Sequence, residues 1–525
     1  MLKRGQLHTY IRILLFLVYL VNGIIAINWN WIVADEADHY SYASRVLKGQ
    51  PQKVIPYEDA STMPISVVNA IPRAAEQLLK PGLIKNDGGV SDVIRGRYMT
   101  LIVCLLIGLF IYRWSRDLWG EAAALFSLFF FVFCPNLMAN VTLVGTDAYA
   151  ALFTLSSAYY FQRFYRTSHW KDIAWFGLHL GLALISKQSL ILLPPIYGCI
   201  ALAIIICRRN LVCNIKINLL RFLLITLLAL LVVNLAYLFN GTGRPLSEYA
   251  FHSETLKNLQ ASSLFRHIPL PLPAPFIEGF DLVGQMLSMG SGHEKVSTRS
   301  YLFGNYFTGN GLWYYYSVVI FYKTPIVVLI LLPGVIGAYL KRIGFHANFM
   351  STGFPLLLAF FFLIFISLTN TSQHGIRHLL MIYPLFYVCI GQVVHWKLFR
   401  SRISRSVIAG YSLFTFYSYF PNLVPYTNEL LWNKTYVHQV IASSNIDYGQ
   451  TWKKIQRYLQ EHPSVKLATS IPESGEILIN VNDYLDLGGS GVYAWMRDLK
   501  PIGHVAHTHL LFQITKEDLV RLKEK

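Results

Sequence analysis

The chain has 525 residues, of which 54% are hydrophobic and only 14% charged, and its formal net charge is +17. That is too little polar surface for a soluble protein, and many runs approach the roughly 20 apolar residues that cross a bilayer, so a polytopic membrane protein is predicted. The basic excess sits in short loops between apolar runs, and no basic stripe with interleaved aromatics lies on a soluble segment, which argues against nucleic-acid binding.

The first apolar run, "IRILLFLVYLVNGIIAINWNW", is long and lacks a small-residue cleavage site, so it reads as a span rather than a signal peptide. About eleven spans are predicted, near 11–29, 98–114, 121–138, 146–164, 172–187, 189–207, 217–239, 313–340, 350–369, 377–396 and 405–421. The loops "YRWSRDLWG", "QRFYRTSHWKD", "CRRNLVCNIK", "LKRIGFHAN" and "HWKLFRSRISR" carry Lys and Arg and alternate with less basic connections. They are assigned to the inside, as is the N-terminus "MLKRGQ". Residues 1–421 then form a helical module with long external loops at 30–97 and 240–312, and 422–525 an external C-terminal domain. In that segment "WKKIQRYLQEH" has helical spacing, while "VKLATS", "EILIN" and "HVAHTHLLFQIT" read as strands, so a small α/β domain is expected. The six cysteines show no metal-ligand spacing and none lies in a long external loop, so core packing is the simplest reading. Asn140, Asn240, Asn370 and Asn433 open N-x-S/T sequons, a number expected by chance in a chain of this size.

The first loop begins "ADEADHYSYASRVLKGQ". Carboxylates this close to hydrocarbon are costly unless solvated, paired or used. For Asp38 a solvated loop acid suffices. For Asp35 and Glu36 function is favoured, and a carboxylate here can act as general base on an acceptor hydroxyl. Asp147, in "NVTLVGTDAYAALF", lies at the same depth, where an acid near a helix N-terminus is the competing explanation. Lys187, Lys323 and Arg377 are cations at that external level, against the usual inside bias. Together they suit a lipid-linked phosphate leaving group. His504, His507 and His509 make no complete ligand set, so no metal site is assigned, although a divalent ion stays open.

These motifs resemble the bacterial phospholipid-carrier-dependent members of glycosyltransferase family 39, a family of the GT-C class that includes protein O-mannosyltransferases. The resemblance runs along nearly the whole chain, through "CPNLMANVTLVGTDAYAALF", "GLALISKQS", "PLPAPFIEGFDLVGQM", "GHEKVSTRSYLFGNYFTGNGLWYYYSVVIFYKTP", "HGIRHLLMIYPLFYV" and "YAWMRDLKPIGHVAHTHLLFQI". Two departures stand out: "STMPISVVNAIP" replaces the family's His-Pro-Pro run, and "SSNIDYGQ" replaces its more frequent Asp-Ser-Asn-Leu-Asp-Trp-Gly-Gln. The resemblance implies a GT-C bundle and inverting transfer of a hexosyl or pentosyl group from a polyprenyl-phosphate sugar. The acceptor would be a hydroxyl of a lipid, glycan or protein at the external face of a bacterial inner membrane. It implies Asp35 as base with Glu36 shaping its site, and Lys187, Arg377 and Lys323 on the donor phosphate. Asp147, His293, His374, Asn445 and Asp447 would line the site. A nucleotide-sugar donor fits poorly because no Gly-rich phosphate loop is present. A transporter or flippase of lipid-linked sugars is the rival class, but such proteins place ionisable groups near the midplane within repeats, and no repeat is visible here. A non-catalytic assembly subunit is a third reading.

Overall fold

The computed structural model describes residues 4–80, 89–207, 215–291, 299–341, 350 and 353–523. Among the described residues, each predicted span is built mainly of helix, and the chain is an integral membrane protein of mainly α-helical build. Among the described residues, three helices meet the length and apolarity of a full crossing: Gly5–Trp29, Val90–Trp119 and Lys216–Ala236. Others are broken, and proline explains two of the breaks. The predicted span 121–138 is split into Glu121–Val132 and Pro135–Val141. Cys134 between them takes an extended conformation, because the residue before a proline is pushed out of the α region. Helices Tyr315–Lys323 and Ile326–Lys341 meet at 118° around extended Thr324, which precedes Pro325.

Helix Trp170–Leu184 lies unusually close to helix Ile215–Ala236. A Cβ on Gly177 would stand 3.1 Å from the Ile225 Cα, and one on Gly181 would stand 2.7 Å from the Val232 Cβ. The Gly-x-x-x-Gly spacing therefore lets the two backbones approach. That packing fixes the helix whose end leads into Lys187.

The first loop folds into its own helices, Glu36–Leu47 and Val67–Leu79, over the end of the bundle. The C-terminal segment adds a four-stranded sheet, ordered Val465–Leu467, Gly475–Asn480, His509–Ile514, Gly503–Val505, with the first pair parallel and the others antiparallel. "HVAHTHLLFQIT" is thus two strands rather than one. Ala506 and His507 both have positive φ, 57° and 60°, and Thr508 N donates to Val505 O at 3.2 Å, so a tight turn reverses the chain there. Strand Gly475–Asn480 is covered on both faces. Ile477 and Ile479 join the main helical core, while Leu478 packs with Ile455 of helix Trp452–Glu461. One apolar core therefore runs from the bundle into the sheet. Cys104, Cys134 and Cys389 are buried, as core packing predicts, whereas Cys199 is exposed.

Candidate active site

Asp35 occupies the N-cap position of helix Glu36–Leu47, where an Asp ordinarily accepts a hydrogen bond from the helix's own amides. It makes no such bond. Its carboxylate is turned to Arg377, whose Nη1 donates to Oδ2 at 2.5 Å. Burial alone would raise the Asp35 pKa. The Arg377 guanidinium, the Tyr448 phenol and His39 outweigh it and hold the carboxyl well below the usual range. The ring of Tyr448 lies under the Arg377 guanidinium at 4.6 Å.

A second pair lies beside the first. Lys187 Nζ donates to Asp147 Oδ1 at 2.5 Å, with 17% and 18% of the two side chains exposed. Asp147 therefore does more than sit near a helix dipole. Asp35, Asp147, Arg377, His39, Asn140 and Tyr448 line one small gap of about 20 Å³. Asp35, Arg377 and Tyr448 also line a cavity of about 880 Å³ that opens between residues 31–37 and the C-terminal sheet, with His374, Asp447, Asn480 and Asn482 on its walls. Several buried polar atoms of this region have no partner: His39 Nδ1, His374 Nδ1, Arg377 Nε and His378 Nε2. Burial drives His39 and His374 down to about 4, so both rings are neutral at pH 7.

Glu36 has a different place. It is fully buried and paired with Arg97, and it accepts from Val33 N and Val144 N, each at 2.8 Å. All five N–H groups of Arg97 are used: two on Glu36, the others on the carbonyls of Ile27, Asn30 and Trp31. The pair clamps the end of the first helix to the loop before Asp147. So enclosed, Glu36 lines neither cavity, and its place is that of a residue that shapes the Asp35 site rather than one that meets a substrate.

Lys323, expected on the donor phosphate, lines neither cavity. It is 1% exposed, and its ammonium donates to Val424 O at 2.8 Å and to Asn445 O. The proline break beside it opens the helix end, and the lysine ties that end to the 424–445 segment. Asn445 is a strut too. Its Oδ1 accepts from Ile376 N at 3.0 Å, one residue before Arg377, and its Nδ2 donates to Tyr315 Oη at 3.1 Å. Asp447 holds the sheet through Asn480 Nδ2 at 2.7 Å, and Asn482 Nδ2 donates to its carbonyl at 3.1 Å. Burial raises the Asp447 pKa. His374 lines the large cavity, with Nε2 2.7 Å from Ser372 Oγ. His293 lies outside the described residues.

Arg97 and Tyr448 were missed as site-forming residues. The signal for Arg97 was an arginine at the head of an apolar span, where a lone charge needs a partner. The signal for Tyr448 was its place in "SSNIDYGQ". Of the histidines near the C-terminus, His504 and His507 face each other at 4.4 Å, and His509 lines the large cavity. Among the described residues, no three His, Cys, Asp or Glu side chains gather as metal ligands.

Several solved structures align with parts of this chain at low identity. ArnT from Cupriavidus metallidurans bound to undecaprenyl phosphate aligns with 13% identity and a TM-score of 0.47, over 76% of this chain and 63% of that one. The oligosaccharyltransferase of Archaeoglobus fulgidus in its apo form aligns with 13% identity and a TM-score of 0.47, over 77% of this chain and 52% of that one. The chain thus spans less than two thirds of the length of these neighbours. No curated protein sequence matches it. Residues 90–237, from the helix bearing Arg97 through Asp147 and Lys187, match the sequence model of the dolichyl-phosphate-mannose-protein mannosyltransferase family, in line with the family that the motifs resemble.

Proposed function

We propose that the protein is an inverting glycosyltransferase that moves a sugar from a polyprenyl-phosphate donor to a hydroxyl group. The acceptor hydroxyl oxygen attacks the anomeric carbon and its proton passes to the Asp35 carboxylate. The bond from that carbon to the phosphate oxygen breaks, and its electron pair leaves with the lipid phosphate. Arg377 and Lys187 meet the charge that gathers on the leaving group. Positive charge that develops on the sugar ring is characteristic of glycosyl transfer. Glu36 and Arg97 hold the base in place and touch neither substrate.

The single observation that carries this reading is an N-cap aspartate that ignores its own helix and pairs with Arg377 at 2.5 Å, beside the Asp147–Lys187 pair. The family match over residues 90–237 supports it, because Asp147 and Lys187 lie within the matched segment. The orientation that fits is a site at the external or periplasmic face of a bacterial inner membrane. A hexosyl and a pentosyl donor suit this geometry equally, as do lipid, glycan and protein acceptors.

Mass spectrometry of lipid, glycan and protein fractions from cells with and without the gene tests the reading. A sugar present only when the gene is intact identifies donor and acceptor together. Unchanged fractions, with lipid-linked sugar trapped on one leaflet instead, would replace it with the flippase.

A further inference from the structure

"SSNIDYGQ" is built as a support, and three of its polar side chains act as ties. Asn445 holds Ile376, Asp447 holds Asn480, and Gln450 Oε1 accepts from Tyr448 N at 2.7 Å. Gly449 has a φ of 93°, which turns the chain where a side chain would be strained. The segment is tied to the first loop as well: Trp31 N donates to Gln450 O at 2.9 Å and Ala34 N to Tyr448 O at 3.3 Å. The residue that all these bonds present is Tyr448. Its ring carries the Arg377 guanidinium, its buried hydroxyl makes no full hydrogen bond in the resting site, and it lines both the large cavity and the small gap that Asp35 also lines.

We propose that Tyr448 is the positioning residue of the site, its ring holding Arg377 flat for the donor phosphate and its hydroxyl steadying the Asp35 carboxylate toward the acceptor. This inference rests on the glycosyltransferase reading and adds a residue and a division of labour to it. The hydroxyl's role follows from the small gap that Tyr448 and Asp35 line together, too narrow to keep the two groups apart once an acceptor enters, and the phenol's part in keeping Asp35 ionised supports it. The ring's role follows from the 4.6 Å stacking distance, at which a guanidinium over an aromatic face is held electrostatically.

Three variants separate the two roles. The probe is undecaprenyl phosphate, bound to the purified full-length protein in detergent and read by its shift of the thermal unfolding curve, with sugar transfer measured alongside. Tyr448→Phe keeps the ring. It should bind the probe within about twofold of wild type while kcat falls about tenfold, the scale of losing a hydrogen bond to a charged group that forms as the acceptor is engaged. Tyr448→Trp, which restores the residue more frequent in the resembling family, should also keep probe affinity. Tyr448→Ala should lose about fivefold in affinity as well as kcat, the scale of an exposed cation–π contact. Equal probe affinity in the Ala and Phe variants overturns the ring's role, and wild-type kcat in the Phe variant overturns the hydroxyl's. Should the Ala variant unfold, the Phe and Trp variants still decide both points, because loss of affinity in either removes the platform. A wild type that neither binds the probe nor transfers sugar defeats the glycosyltransferase reading itself, which is a different result from a wild type that binds and a Tyr448 series that does not differ.

Discussion

Replacing Asp35 with Asn gives two effects of opposite sign. The amide keeps the volume but removes the charge and the proton acceptor. Loss of a general base costs typically about 10²–10⁴-fold in rate, and kcat should fall within that range. The affinity for lipid phosphate should move the other way. Arg377 spends its Nη1 on Asp35 in the resting site, so a donor phosphate must compete for it. The two side chains are 21% and 36% exposed, so the pair is partly screened and its coupling is small, about 0.2–1 kcal/mol. Releasing Arg377 from that pair should tighten undecaprenyl phosphate binding by about 1.4–5-fold. Folding should survive, because the Asp35 side chain makes no cap hydrogen bond that Asn would lose. The assay is single-turnover transfer from a polyprenyl-phosphate sugar in detergent, with binding of undecaprenyl phosphate measured on the same samples. Normal turnover in Asp35→Asn would remove the base, and a tenfold loss of lipid-phosphate affinity would show that Asp35 does not compete for Arg377.

Four further outcomes are expected. Arg377→Ala should weaken lipid-phosphate binding and turnover strongly and Arg377→Lys should recover only part, since Lys lacks the bidentate fork; wild-type behaviour in both would take Arg377 out of the site. Arg97→Met leaves a buried carboxylate unpaired and should cost about 3–5 kcal/mol, read as a lost or much earlier melting transition, while Arg97→Met with Glu36→Gln should regain a good part of it. Lys323→Met should lower stability without changing lipid-phosphate affinity, and a selective loss of affinity would return Lys323 to the phosphate. Asp38 is half-buried and its pKa is raised to about 6 by burial, then by Glu58, Asp35 and Asp59. An acid whose folded pKa lies above its unfolded value binds more protons when folded, so its contribution to stability is fullest below about pH 4 and is lost as pH rises towards 6. Asp38→Asn should therefore melt later than wild type above pH 6 and no later below pH 4; the same shift at both would point to an effect unrelated to its charge.

Much of this architecture was legible in the sequence because apolar runs and basic loops are direct consequences of the bilayer. The positions of the spans follow from that, but their integrity does not. Pro135 and Pro325 were visible, yet whether a proline kinks a helix or breaks it depends on what satisfies the freed carbonyls. Near Pro325 one answer is Asn428, whose Nδ2 donates to Phe321 O at 2.7 Å and Thr324 O at 2.9 Å, from about a hundred residues away. The candidate base and cations could be picked out by charge at an improbable depth. Their partners could not, because Asp35 and Arg377 are separated by 342 positions. For Glu36 and Lys323, charge and depth alone do not distinguish a site residue from a structural tie. Both are charged groups at the right level, and only the direction of the side chain shows that one faces Arg97 and the other two carbonyls.

Before any donor arrives, the two carboxylates and two cations of the site neutralise one another in pairs. Such pairing is what makes four ionised groups tolerable at a membrane surface. It also gives the proposed reaction a consistent direction of charge flow. The acceptor proton neutralises Asp35 as the sugar–phosphate bond breaks, so the hold of Asp35 on Arg377 weakens while the leaving phosphate gains charge. Arg377 changes partner from the group losing charge to the group acquiring it. Its Nε is buried and unpartnered in the resting pair, leaving a donor free for the phosphate. Tyr448 suits that exchange better than a fixed salt bridge would. A ring face holds the guanidinium in its plane without consuming any of its N–H groups, so the cation keeps its orientation while its anionic partner changes.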